Sequence, residues 1–458
     1  MCLLIVIILA THNLLAQDDK VEKQIDFLMS QEHKLGNFNG NALVIKDGKV
    51  IYQAEHGYSS ADKRTKLTAD YRFGVGSIGK EFNAVGIMML VEQGKLSLDD
   101  KVSKYLPGLP SWADKISIKN ILQYTSGLPD INWKTIKSDT DILNDLKALK
   151  ELNSEPGTTY AYNNSNIFLQ RRIIEKISGM TFQKFVETKM LRPCKMVDSV
   201  VDLDLKGKNV AISFNNDLVA DPRQFTYVMS GWVSVTAGDL YKWTQCLNNF
   251  SLIDRNSYKE LITPFQLGRQ SGLGSGSMVG EKIVFHRHDG QNLDFEALMY
   301  DQPDEGITVI LLTNNKNFKL NEIRDSIDAI LHGKDFRLPK KSVLLPLKKR
   351  EKDLTGDQLV AFYNELKAKS PNDYNFDDEG ELNSFGYGLM ASKRIDDAIK
   401  IFELNVQIFP KSGNVYDSLA EAYYNRGDKQ AALRNYKKSL ELDPNNQGAR
   451  DMIVKLEQ

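Results

Sequence analysis

The sequence FGVGSIGKEFNAVGIMML at residues 73–90 is the stretch around which the chain is organised. Ser77 and Lys80 are three positions apart, so a helix that begins at Ser77 would carry both side chains on one face. The apolar residues after Lys80 predict that this helix is buried. A lysine in a desolvated place can hold a neutral amine, which can take the proton of a serine hydroxyl. The stretch therefore predicts a nucleophilic serine with a lysine as its base.

The Ser-x-x-Lys spacing alone is a weak signal, because a chain of this length contains about two such pairs by chance. Ser60 and Lys63 form a second pair within the polar sequence YSSADKRTK. No apolar helix follows this pair, which indicates a surface loop. Ser77 therefore needs support from other parts of the chain.

Length and composition indicate a globular protein with two domains. The chain has 458 residues, of which 41% are hydrophobic and 26% are charged, and its net charge is −1. Because there is no surplus of basic residues, we expect no nucleic-acid partner.

The N-terminus is typical of a targeting segment. Residues 2–10, CLLIVIILA, form a short apolar core, and Ala16 is a small residue before the charged sequence QDDK. This core is too short for a stable membrane span. We therefore predict a signal peptide over residues 1–16 and a secreted or periplasmic protein, with a short N-terminal membrane anchor as the alternative.

Cleavage at Ala16 would leave two cysteines, Cys194 and Cys246. Two cysteines do not make a disulfide framework, and an exported protein of this size can rely on its core. The sequence leaves their pairing open and favours free, buried thiols.

The order of predicted elements indicates an α/β (α+β) fold over residues 22–333, with helices on an antiparallel sheet. A hairpin is predicted at residues 40–57, where Lys46-Asp47-Gly48 forms the turn. Helical patterns dominate residues 141–190, and strand patterns return at residues 279–300 and 306–313. Residues 231–243 contain a helix cap at Thr236 or Asp239 and are expected to shape the wall of the site.

The C-terminal part differs in character from the first domain. Residues 334–353 are basic and contain two prolines, which predicts a solvated linker. Residues 354–458 form a helical domain with an internal repeat of 34 residues. Three pairs of positions show this offset: Ala398 with Ala432, Phe402 with Tyr436, and Pro410 with Pro444.

This period and its pattern of small and large residues resemble the tetratricopeptide repeat. The resemblance covers residues 382–446, although Leu382 and Tyr416 stand where the motif prefers Trp. It implies either a groove that binds a protein partner or a module for packing and spacing.

Residues 159–169, TYAYNNSNIFL, supply a second part of the predicted site. A tyrosine beside a lysine can act as a base and then as an acid, which is the role predicted for Tyr162. Asn164 can orient the lysine and donate to a substrate amide. A half-buried structural tyrosine is the alternative for Tyr162.

Residues 285–295, FHRHDGQNLDF, supply a third part. On an edge strand, His288 would present a polar or cationic group, and Gly290 would let a ligand approach the backbone. The amides of Ser77 and Gln291 could then stabilise an oxyanion. In the alternative, His286 and His288 would bind a metal with Asp289 or Asp294, but no further ligand motif supports this.

The three sequences SIGK, YNN and HDG occur in the order typical of the serine β-lactamase and penicillin-binding-protein superfamily. The chain most resembles its class C β-lactamase and DD-peptidase branch, and LSLDDKVSKYLPGLP and ISIKNILQYTSGLPD agree with this. The resemblance covers residues 37–315.

This resemblance implies that Ser77 attacks a carbonyl, that Lys80 and Tyr162 share the proton, and that Asn164, His288, Gly290 and Gln291 bind the substrate. It implies neither a cofactor nor a metal. Two departures disfavour anionic substrates and β-lactams: His288 replaces the usual lysine, and Asp294 adds a negative charge.

The leading hypothesis is an exported serine hydrolase that acts through an acyl-enzyme on a peptide, amide or ester. The alternatives are an inactive protein that binds partners through its repeats, and a true β-lactamase.

Overall fold

The computed structural model describes residues 2–133, 135–201, 209–220 and 233–457, with side chains from residue 19 onward. The chain divides into two compact units, Met1–Leu338 and Pro339–Gln458.

The first unit is built on a six-stranded antiparallel sheet. The strands of this unit, in chain order, are β1 (Gly40–Lys46), β2 (Lys49–His56), β3 (Phe73–Gly74), β4 (Val200–Val201), β5 (Val233–Val235), β6 (Ser275–Val279), β7 (Lys282–Asn292), β8 (Phe295–Gln302) and β9 (Ile307–Thr313). The large sheet has the order β2-β1-β9-β8-β7-β6, and β3-β5-β4 form a small second sheet.

The strand sequences explain their places in this sheet. β9, ITVILLT, is buried at every position, as expected of a central strand covered on both faces. The predicted hairpin joins β1 and β2, and both Asp47 and Gly48 in its turn have positive φ angles. Helices pack against this sheet, so the predicted fold class is confirmed.

The helices of the first unit, in chain order, are α1 (Cys2–Leu35), α2 (Lys80–Glu92), α3 (Val102–Tyr105), α4 (Ile118–Leu122), α5 (Asp139–Ala148), α6 (Asn164–Ser178), α7 (Phe182–Val186), α8 (Ala237–Asn248), α9 (Arg255–Ile262) and α10 (Leu320–Leu331). Thr236 caps α8, as predicted, by accepting a hydrogen bond from the Asp239 amide. Gly231 and Trp232, at the start of the predicted wall segment, lie outside the described residues.

Helix α2 is the buried helix that the apolar run predicts. It follows a single 3-10 turn over Gly76–Gly79, and it buries Lys80 and Glu81 as well as its apolar residues. It packs against α6, so the first residues of α2 are fixed within the core of the unit.

The N-terminal segment forms the start of α1. Within the described part of the chain, no helix has both the length and the apolar character that crossing a membrane requires. Cleavage after Ala16 stays a prediction.

The expectation of free thiols is wrong. Cys194 and Cys246 form a disulfide, with their Cα atoms 5.7 Å apart. Cys246 lies on α8 and Cys194 follows α7, and this spatial approach between distant segments is not visible in the sequence.

The second unit is helical. Its helices are α11 (Leu344–Arg350), α12 (Gly356–Lys369), α13 (Glu379–Ala391), α14 (Ile395–Ile408), α15 (Gly413–Arg426), α16 (Lys429–Leu442) and α17 (Gln447–Glu457), and its short strands are β10 (Lys341–Ser342) and β11 (Tyr374–Asn375).

The prediction of a solvated linker over residues 334–353 is wrong for its second half. β10 pairs with β11, and Val343, Leu344 and Leu347 are buried. The Glu381 carboxylate accepts hydrogen bonds from the Ser342 hydroxyl at 2.9 Å and from the Val343 amide at 2.5 Å. This segment therefore belongs to the second unit.

Antiparallel helix pairs carry the predicted 34-residue repeat. Gly386 on α13 lies so close to α14 that a Cβ atom there would be 2.6 Å from the Phe402 ring. The corresponding small residues of the next pair, Ala420 and Ala432, pack with Tyr436 in a buried cluster. The small residues thus allow close approach, and the aromatic residues fill the groove between helices.

Candidate active site

Ser77 lies in the 3-10 turn that leads into α2, and Lys80 is the first residue of the helix. The Lys80 Nζ atom donates a hydrogen bond to Ser77 Oγ at 2.9 Å. Lys80 is only 6% exposed, so its amine lies in the desolvated place that the sequence predicts. The Ser-x-x-Lys spacing therefore brings a hydroxyl and an amine into direct contact.

Tyr162 reaches the same hydroxyl from the loop before α6. Its phenol donates to Ser77 Oγ at 2.9 Å, and Lys80 Nζ lies 4.9 Å from the centre of its ring. The ring of Tyr124 packs against it, with centroids 4.7 Å apart. Burial raises the pKa of Tyr124 well above its ordinary value, so Tyr124 is a neutral support for the Tyr162 ring.

The second Ser-x-x-Lys pair has no such partners. Ser60 donates a hydrogen bond to the Asp62 carboxylate at 2.6 Å, and Lys63 is exposed. This pair belongs to a surface turn, as predicted.

Asn164 is the first residue of α6, directly after the capping residue Asn163, and lies beside an acidic residue. Its backbone amide donates to Asp130 Oδ1 at 2.7 Å, and its side-chain Nδ2 donates to the same oxygen at 3.3 Å. Among the described residues, no hydrogen bond joins Asn164 to Lys80. Asp130 therefore orients the amide group, and the Oδ1 atom of Asn164 is directed away from this contact.

The strand β7 passes directly against the turn that carries Ser77. A Cβ atom on Gly290 would be 1.8 Å from the Val75 carbonyl oxygen and 3.0 Å from the Ser77 amide nitrogen. A Cβ atom on Gly76 would likewise be 2.5 Å from the Gln291 nitrogen. Both positions therefore exclude a side chain, and the backbones of Ser77 and Gln291 are brought to the same place.

His288 is on the strand face that Gly290 presents to this turn, but it is not the exposed group that the sequence predicts. Its ring is 1% exposed, and its Nδ1 atom is 2.7 Å from Glu81 Oε1. His286, two residues earlier on the same face, places Nε2 2.9 Å from the same oxygen.

These contacts create a buried charge cluster immediately behind Lys80. Burial alone would raise the pKa of Glu81, but the charge and hydrogen bond of His286, together with His288, lower it to about 2. Burial opposes protonation of His286, yet the Glu81 charge raises the pKa of His286 above its ordinary value. Glu81 is thus an ionised, buried carboxylate.

The contacts of the two histidines do not support the alternative of a metal site with Asp289. That carboxylate pairs with the Arg287 guanidinium at 2.7 Å, and residues 287 and 289 alternate with the histidines along the strand.

Sequence reasoning missed two residues of the site, Glu81 and Asp130. A signal existed for Glu81, because it is a charged residue at the start of an otherwise apolar buried helix. Asp130 has no comparable signal, since its role depends on a contact across 34 positions.

The chain matches two family models. The family model described as Beta-lactamase matches residues 28–332, and the model of the tetratricopeptide repeat matches residues 413–446. Penicillin-binding protein 4* of Bacillus subtilis is 27% identical over 339 residues, which cover 66% of this chain and 74% of that protein. Protein flp of Staphylococcus aureus is 27% identical over 321 residues, and the alignment covers 64% of each chain.

Solved structures show the same fold. A class C beta-lactamase has a TM-score of 0.60 and 22% identity, covering 70% of this chain and 98% of that chain. A penicillin binding protein from Bacillus halodurans has a TM-score of 0.59 and 23% identity, covering 66% and 98%. Since the family model spans well over half of the chain and the fold agrees, the chain belongs to the beta-lactamase family.

Proposed function

We propose that this protein is an exported serine hydrolase that forms an acyl-enzyme on an ester, amide or peptide. The observation that carries the proposal is the pair of hydrogen bonds, each 2.9 Å long, that Lys80 and Tyr162 donate to Ser77 Oγ. A hydroxyl that is contacted by two groups able to exchange protons is the arrangement that nucleophilic catalysis needs.

In the first step, one of these two hydrogen bonds reverses, so that the Ser77 hydroxyl donates to the Lys80–Tyr162 pair. Ser77 Oγ then attacks the substrate carbonyl, and the pair takes its proton. The leaving group takes this proton as its bond to the carbonyl carbon breaks, which leaves an ester on Ser77. Water then attacks the ester, the same pair accepts and returns a proton, and Ser77 is regenerated with release of the acid.

The backbone amides of Ser77 and Gln291 would stabilise the negative charge that develops on the carbonyl oxygen during the attack. The absence of side chains at Gly76 and Gly290 supports this role, because it lets the two backbones converge. Preorganised amide donors of this kind contribute about 10²- to 10³-fold to the rate.

Asn164 would hold the acyl side of the substrate. Asp130 accepts from its amide group at 3.3 Å, which leaves the carbonyl oxygen of Asn164 to accept a hydrogen bond from a substrate N–H. This supports amide-bearing acyl groups among the substrates.

The test is turnover by the purified protein of p-nitrophenyl esters, D-Ala-D-Ala peptides, D-amino-acid amides and nitrocefin, with covalent labelling by a fluorophosphonate and by a penicillin probe. Ser77→Ala should abolish both turnover and labelling. Ser60→Ala is the matched control, since Ser60 is also followed by a lysine at the third position but lies in a surface turn. Labelling that survives Ser77→Ala would overturn the proposal.

Efficient β-lactam hydrolysis is disfavoured, because His288 is buried against Glu81 and offers no exposed cation to a substrate carboxylate. Rapid nitrocefin hydrolysis would contradict this.

A second candidate function is partner binding by the second unit, which the repeat match at residues 413–446 favours. A pull-down that succeeds with the full chain but fails with a chain lacking residues 339–458, while ester turnover stays at background, would make this the main function.

A further inference from the structure

Glu81 is the buried residue that the proposed reaction does not use. It follows Lys80 directly and is fully buried. Its carboxylate accepts from Trp243 Nε1 at 2.7 Å in addition to its contacts with the two histidines. Trp243 also stacks on Phe82, with centroids 4.1 Å apart. These contacts fix the first turn of α2, which also carries Lys80, the residue that contacts Ser77.

The bond to Glu81 determines the tautomer of His288. An ionised carboxylate can only accept hydrogen bonds, so Nδ1 of His288 carries the hydrogen that meets Glu81 Oε1. The other ring nitrogen, Nε2, is buried and has no hydrogen-bond partner in the part of the chain that the structure describes.

The strand face that carries His288 continues to the reaction centre. Residues two apart on a strand share a face, so His288 lies on the face of β7 where Gly290 meets the Ser77 amide. Glu81 lies next to Lys80 at the start of α2, and its carboxylate contacts His288 on that face of β7.

We propose that Glu81 is a positioning residue for acyl transfer, which holds the first turn of α2 and the His288 ring, with Nδ1–H toward its carboxylate, beside Lys80 and Ser77. The inference rests on the proposed function. Because His288 is held against Glu81 and offers no exposed cation, the favoured substrates carry a leaving group without an adjacent carboxylate.

The first experiment measures the tautomer in the full chain labelled with ¹⁵N-histidine, with His288→Asn to assign the resonance. The wild-type protein should show Nδ1–H at His288. Glu81→Gln can present an N–H to Nδ1, so the Nε2–H form should appear, and kcat for a p-nitrophenyl ester should fall by about 100-fold or more. KM should change by less than about threefold.

Trp243→Phe is the matched control. It removes one hydrogen bond to the same carboxylate and keeps an aromatic ring against Phe82. We expect a lower melting temperature, the wild-type tautomer, and kcat within about threefold of wild type. A wild-type protein with Nε2–H at His288, or a Trp243→Phe variant that loses as much kcat as Glu81→Gln, would overturn the inference.

Two further measurements separate this inference from the proposed function. The variant with both Glu81→Gln and His288→Asn should lose no more kcat than the stronger single variant, because the two residues act as a unit. A peptide ending in a carboxamide should be cleaved at least about tenfold faster than the same peptide ending in a carboxylate, and the opposite preference contradicts the inference. If Ser77 is labelled but these results fail, only the role of Glu81 is wrong.

Discussion

The Tyr162 hydroxyl and the Ser77 hydroxyl are joined by a 2.9 Å hydrogen bond, although 85 positions separate the two residues in the chain. This bond links the turn before α2 to the loop before α6. It is the contact through which a proton would leave Ser77 and reach the departing group.

Replacing Tyr162 with Phe should lower kcat by about 10²- to 10⁴-fold, because it removes the proton carrier but keeps the ring beside Lys80. Stopped-flow or steady-state rates with a p-nitrophenyl ester measure the effect. Tyr160→Phe is the control, since Tyr160 contacts Tyr124 in the same cluster but makes no contact with Ser77 among those described. Equal losses in both variants would contradict the role of Tyr162.

Gly290→Ala should lower kcat by at least about 100-fold. The new methyl group would lie 1.8 Å from the Val75 carbonyl oxygen, so β7 must move away from the turn that carries Ser77. The rate of fluorophosphonate labelling measures this displacement. Gly108→Ala is the control, because a Cβ atom there meets nothing within 4 Å.

Much of this site could be predicted from the sequence, because its chemical groups lie in short motifs. The apolar run after Lys80 predicted a buried helix, and the family resemblance predicted that Ser77, Tyr162 and Gln291 meet. The alternation along β7 could show that His286 and His288 share a face. It could not show which element covers that face, and so the pairing with Glu81 was missed.

Predictions were less successful where they depend on which segments, distant in the sequence, come together in the fold. The pairing of the two cysteines requires that α8 and the segment after α7 come together, which no local pattern records. The helix over Leu344–Arg350 was predicted as a linker, because it is short, basic and contains a proline. Burial of three apolar side chains outweighs these local signals.

Glu296→Gln should stabilise the protein above pH 7. Burial raises the pKa of Glu296 to about 7 from 4.5, so the folded state holds a proton that the unfolded state releases earlier. Stability is therefore lost as pH rises from 4.5 through 7, by up to ~3 kcal/mol. Urea denaturation at pH 5 and pH 8 should show a smaller difference in the variant than in the wild type.

Part of this pH dependence should remain in Glu296→Gln, because burial also raises the pKa of Glu32 to about 7. Glu281→Gln is the control, since the Glu281 side chain is 85% exposed. An unchanged difference between pH 5 and pH 8 in Glu296→Gln would show that Glu296 is ionised in the folded protein at pH 5.

Reduction of the disulfide should lower the free energy of unfolding by about 4 kcal/mol, from the entropy of a loop closed across 52 positions. Urea denaturation with and without dithiothreitol measures the change. The variant with both Cys194→Ala and Cys246→Ala should be insensitive to the reductant. Equal stability of the oxidised and reduced wild-type protein would contradict the expected contribution of this crosslink.

The repeats of the second unit provide a matched pair of substitutions on α13. Gly386→Ala should destabilise this unit by about 1–3 kcal/mol, since the new methyl group meets the Phe402 ring at 2.6 Å. Gly388→Ala meets nothing within 4 Å and should stabilise the helix by up to about 1 kcal/mol. Thermal unfolding monitored by circular dichroism distinguishes the two variants. Shifts of their melting temperatures in the same direction would contradict the close packing of α13 and α14.

The position of β1 between β2 and β9 has a consequence for biosynthesis. β1 ends at Lys46, but its second neighbour begins only at Ile307. A chain that emerges from the ribosome or a translocation channel therefore keeps an open, apolar strand edge until nearly the whole first unit has been delivered. During this time the Ser77 amide also lacks the Gln291 amide, its partner in the proposed oxyanion site, because Gln291 lies on the late strand β7. The nascent protein is thus expected to need protection against aggregation and to acquire reactivity only when its last strands arrive.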